Sequence, residues 1–134
     1  MVCLFKILLA AGHGAGDNLG GVCYNEGDNN YYYSLALKEE LDTYDHVQVD
    51  LLRKNITDNP GLTERAQAGA GYGLYFAIHS NAFSDPNVRG GTEVWDSAEK
   101  PNLALTRAIC DVTSETFRHN NHGVKYKEKQ KGYN

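Results

Sequence analysis

Cysteine is scarce in this chain. Three in 134 residues, Cys3, Cys23 and Cys110, are an odd number at unrelated spacings. That argues against both a disulfide framework and a CxxC metal knuckle and leaves free thiols as the simplest reading. A surplus of basic residues is missing too, with 17 acidic against 13 basic and a net charge of −4. Without a basic face interleaved with aromatics, nucleic acid is not an expected partner. Long apolar runs are absent as well. The N-terminal stretch Val2 to Ala11 is split by Lys6, and Ile7 to Ala11 is too short for a signal-peptide core or a membrane span. It reads as the first strand of the fold, so synthesis in the cytoplasm, no signal peptide and no membrane insertion are expected. The glycine-rich segments 12–16 and 69–73 lack both the Gly-Lys-Ser/Thr ending of a phosphate loop and the full spacing of a dinucleotide fingerprint.

What is present is enough apolar residue, 41% of the chain, for one domain with its own core over residues 1–134. After the first strand, residues 12 to 30 are rich in Gly, Asn and Asp and predict a long functional loop. Asp28, Asn29 or Asn30 can cap a helix from about Tyr31 to Thr43, burying Leu35, Leu37 and Leu41. A strand follows at Val47 to Leu52, then a short helix capped by Thr63 and running through Ala70, then an apolar strand ending Phe76-Ala77-Ile78. Thr92 to Trp95 is a further strand, and Leu103, Leu105, Ala108, Ile109, Val112 and Phe117 recur at helical spacing through about Arg118. The segment from Val124 onward reads as a lysine-rich tail. This order predicts an α/β fold: a mainly parallel, mixed sheet with helices on both faces, three layers α/β/α.

Two histidines end strands in this scheme. His13 follows the first strand and His79 the third, and ligands in parallel sheets come from the carboxyl ends of strands. Each alone is equally well a packed or rim histidine. Glu26 lies near a helix start, where the helix dipole favours a negative charge whatever its other role. Together, two imidazoles and a carboxylate are the ligand set of a catalytic zinc, in which three protein groups leave a fourth position open. His119 and His122 are three apart just past a helix and read as a solvated helix end. Tyr31, Tyr32 and Tyr33 point in different directions on a helix and cannot form one sugar-stacking platform.

The segments Ala11-Gly12-His13-Gly14 with Asp17, Glu26, Leu62 with Arg65, Ile78-His79-Ser80-Asn81-Ala82, Gly91-Thr92-Glu93-Val94-Trp95 and Gly123-Val124-Lys125 occur in that order. In this the chain resembles the zinc-dependent N-acetylmuramoyl-L-alanine amidases of the amidase-3 family, found among autolysins and phage endolysins. The resemblance implies that His13, Glu26 and His79 bind Zn2+ and that Asn81 contacts substrate. It also implies cleavage of the amide between N-acetylmuramic acid and L-alanine in peptidoglycan, so that the chain acts on the cell wall. The family's general acid/base glutamate lies beyond the Gly-Val-Lys segment, past residue 134, so no catalytic acid/base is assigned. Glu93 matches a different part of the pattern, and it and Glu99 stay as alternatives. A C-terminally truncated amidase domain with its last elements missing is the expectation, with oligomerisation through an exposed sheet edge. The alternatives are another zinc amidohydrolase or carboxypeptidase, or a zinc-bound, inactive peptidoglycan-binding fragment.

Overall fold

The first strand sits at the centre of a parallel sheet because it is the most continuously apolar segment of the chain. The computed structural model describes residues 4–17, 24–80 and 90–126. Strand β1 (Phe5–Ala11) pairs in parallel with β2 (Val47–Leu51) on one side and β3 (Leu74–Ile78) on the other. Its residues Ile7 to Ala11 are all buried, as expected of a strand covered on both faces. Helix α1 (Glu26–Leu41) crosses from β1 to β2. Leu37 and Leu41 of this helix pack with Ile7, Leu9, Val49, Leu74 and Phe76 to form the core.

Side chains alternate along β3, so Tyr75 faces away from Phe76. Gly69, just past α2 (Leu62–Ala68), lies against the Tyr75 ring, and the Tyr72 hydroxyl donates to Asp50 Oδ2 at 2.9 Å. The segment around α2 therefore runs over the face opposite α1.

The chain divides into two compact units, Met1–Ala82 and Phe83–Asn134. In the second, β4 (Gly91–Asp96) and β5 (Asn120–Tyr126) pair in parallel, joined by α3 (Leu103–Phe117). The pairing shifts register between Thr92 and Glu93, opposite His122, with Gly123 at φ 77°. The fold class is thus the expected one, α/β with parallel sheets.

Four local expectations are corrected. Helix α1 starts at Glu26, five residues earlier than its apolar spacing suggests, and its cap is Asn25, whose side chain accepts from the Asp28 amide at 3.0 Å. Leu35 is exposed, whereas Asn30, Tyr31 and Ser34 are buried. Helix α2 begins at Leu62 with Gly61 as cap, so Thr63 caps nothing. Residues 120–126, read as helix end and tail, form β5. Its period is broken by the bulge and by Gly123, which hides a strand from pattern reading.

Candidate metal centre

Strand order 2-1-3 places the crossovers from β1 and from β2 in opposite directions, so the carboxyl ends of β1 and β3 flank a topological switch point. Register pairs Ala11 with Ile78, and the Gly12 amide donates to the Ile78 carbonyl at 2.9 Å. The residues that follow each strand are thereby side by side. The His79 ring lies over Gly12 so closely that a Cβ there would overlap three of its ring atoms. Any side chain at 12 would force that ring to move.

His13 has φ 59°, a left-handed conformation uncommon outside glycine. Arg65 on α2 spans it, with Nη1 donating to the Ala11 carbonyl at 2.9 Å and Nη2 to the His13 carbonyl at 2.7 Å. The loop beyond is closed by Asp17, whose Oδ2 accepts from the Gly14 amide at 3.1 Å and from Asn59 Nδ2 at 3.3 Å.

Glu26 is the first residue of α1 and is buried. Its Oε1 accepts from the Ser80 amide at 2.8 Å and from Asn30 Nδ2 at 3.4 Å. The Ser80 hydroxyl in turn bonds to the Tyr24 hydroxyl. The next residue, Gly27, packs its Cα against the Gly14 carbonyl with no room for a side chain, which seats the helix start on the His13 loop. Behind it, the fully buried Arg53 donates to the Gly27 carbonyl and the Ile56 carbonyl, both at 2.6 Å, and lies over the Tyr31 ring. Burial, helped by the charge of Arg65, pulls the Arg53 pKa below its usual value, against the pull of Asp28, Asp58 and Tyr31.

These supports bring the three sequence-predicted ligands together. His79 Nδ1 is 3.2 Å from Glu26 Oε1, and His13 Nε2 is 3.3 Å from Glu26 Oε2. The two imidazoles meet edge to face, 5.1 Å between centroids. One donor atom from each residue lies within 4.8 Å of the others, and among the described residues this is the one such group able to hold a metal ion. Two nitrogens and a carboxylate oxygen suit a divalent cation of zinc's type. Glu26 is buried while His79 is half exposed, so the group opens outward on the imidazole side.

The family model described as Amidase_3, N-acetylmuramoyl-L-alanine amidase, matches residues 7–132. The chain belongs to this amidase family. No curated protein matches it by sequence. Among solved structures, N-acetylmuramoyl-L-alanine amidase from Clostridium difficile 630 is similar at TM-score 0.78 and 19% identity, covering 93% of this chain and 70% of that one. The catalytic domain of CwlV from Bacillus (Paenibacillus) polymyxa var. colistinus gives 0.73 and 20%, covering 93% and 71%. AmiC2 of Nostoc punctiforme gives 0.69 and 18%, covering 92% and 69%. At such identities the likeness is one of fold.

Other residues singled out in this amidase sequence have different fates. Asn81 lies outside the described residues, as do Cys3, Cys23 and the lysines from 127 onward. Glu93 is held by Lys125 and accepts from Trp95 Nε1 at 2.9 Å. His119 bonds to Thr92 Oγ1 at the start of β5, and His122 packs over Gly91, so neither joins a metal-ligand group. The supporting roles of Arg53 and Asn30 were not read from sequence. For Arg53 the available signal is a charged residue directly after an apolar strand.

Proposed function

We propose that this amidase is a zinc-dependent hydrolase that cuts the amide between N-acetylmuramic acid and L-alanine in bacterial peptidoglycan, with His13, Glu26 and His79 as the metal ligands. The observation that carries the reading is the convergence of those three donors at the switch point of the sheet. The family match runs across both units, which supports treating residues 1–134 as one catalytic domain. Zinc held there would polarise the scissile carbonyl and lower the pKa of water at its open position to about 7. Glu26 offsets part of the cation's charge in a buried setting, and the Ser80 amide and Asn30 fix its orientation. Gly12 and Arg65 hold the two histidine-bearing segments. Asn81, two residues past His79, is proposed to contact the substrate on the basis of the family pattern alone. Action on the cell wall follows from the substrate.

The test is release of L-alanine amino groups from purified peptidoglycan by the metal-free chain, by the chain with zinc added, and by the chain with chelator. Zinc-restored, chelator-blocked release is expected. Release that ignores both would remove the metal from the reaction. One bound zinc without release would favour a binding role at the same site.

A further inference from the structure

We propose that Arg65 is a positioning residue for the metal centre, gripping the backbone on both sides of His13 so that the imidazole is already aimed before a metal arrives. This rests on the reading of His13 as a ligand. All three guanidinium nitrogens are committed to backbone oxygens: Nε to Pro60 at 3.0 Å, Nη1 to Ala11 at 2.9 Å and Nη2 to His13 at 2.7 Å. A planar fork bonded to two carbonyls two residues apart fixes the torsions between them, which a single ammonium cannot do. The residue so fixed has φ 59°, and non-glycine residues persist there only where their surroundings over-determine the conformation.

Helix α2, which carries Arg65, has seven residues and buries none of them. Apolar packing of the helix does not account for its placement, and Arg65 is its polar tie to the end of β1. Burial raises the Tyr75 pKa while Arg65 opposes that, which puts the same guanidinium beside the aromatic ring on which Gly69 rests. Arg53, by contrast, is fully enclosed and acts on the carbonyl of Gly27 rather than on the carbonyls of Ala11 and His13.

The experiment is a cobalt(II) titration of the tag-free, metal-free full chain, read by visible d–d absorption, for wild type, Arg65→Met, Arg65→Lys and the exposed same-helix control Gln67→Ala. Expected is a loss of cobalt affinity of about 10–100-fold in Arg65→Met, typical of removing an outer support of a metal ligand, an intermediate loss in Arg65→Lys, and none in Gln67→Ala. The metal-free melting curves should remain those of a folded chain. Should Arg65→Met unfold, Arg65→Lys alone decides. Unchanged affinity and spectrum in a folded variant, with wild type binding one cobalt, overturn the proposal and leave the ligand reading intact. Loss of the metal-free fold in both variants makes Arg65 a folding residue and also overturns it. A folded wild type that takes up no cobalt removes His13 as a ligand, and this inference with it.

Discussion

Glu26 and Gly12 show how single residues divide the work at the candidate metal centre. Glu26 carries charge into a buried position where two imidazoles and an amide meet it. Replacing it with Gln keeps the shape and removes the charge. In Glu26→Gln, zinc affinity should fall and the zinc-dependent rise in melting temperature should shrink, while the metal-free chain changes little. A loss of the same size with and without zinc, seen by calorimetry, would identify Glu26 as a partner of the helix dipole only. Gly12→Ala acts by volume, since its methyl group would occupy the space of the His79 ring. Isothermal titration should show zinc affinity reduced about 10–100-fold, comparable to loss of a supporting contact. Unchanged affinity would mean that the ring swings aside without penalty.

Of the three candidate ligands, His13 and His79 are legible in sequence because each follows a recognisable strand, whereas Glu26 is legible only as lying near a helix start whose first turn carries no apolar period. Arg65 appeared there only as part of a family pattern. Nothing in a linear sequence distinguishes an arginine whose fork closes on two carbonyls from one on a wet helix face.

At the level of elements, what was legible followed apolar periodicity and what was missed did not. Strands β1, β2 and β3 announced themselves by continuous or alternating apolar residues. The first turn of α1 did not, because its buried residues are Glu26, Gly27 and Asn30, chosen by the site rather than by the core. Helix α3 was found, yet its buried positions are Thr106, Cys110 and Ser114, while Val112 and Phe117 are exposed. Small polar side chains seat it: Cys110 Sγ approaches Asn121 Oδ1 at 3.1 Å, and Thr106 Oγ1 donates to Asp96 Oδ2 at 3.2 Å.

Strand β2 lies at an edge of its sheet, and Lys38 of α1 donates to the Val49 carbonyl at 2.9 Å while pairing with Asp42. A lysine on an edge carbonyl discourages pairing with another chain. Lys38→Ala is expected to cost roughly 0.5–1 kcal/mol in urea denaturation. It should also bring concentration-dependent self-association in sedimentation velocity. A clean monomer at high concentration would show that this edge needs no guard.

For the whole molecule, a metal held at the candidate site would be linked to the fold. If zinc binds the native chain and not the unfolded one, it adds about 2.7 kcal/mol at a free concentration one hundred times its Kd. Calorimetry across a zinc series should show the melting temperature climbing with concentration and returning on chelation. A melting temperature indifferent to zinc would disconnect the site from the native state.

The arrangement of β1 between β2 and β3 has a temporal consequence. His13 leaves the ribosome before its neighbour in space, His79, which arrives only after β2, α2 and β3 have been made. Pairing of β1 with β2 closes the shorter loop and is entropically the easier first step. The group of His13, Glu26 and His79 is then completed by the last strand to join the three-stranded sheet, so a nascent chain has two of these three side chains in place until β3 docks. If that group holds a metal as proposed, its uptake would report the end of folding in this unit rather than its beginning.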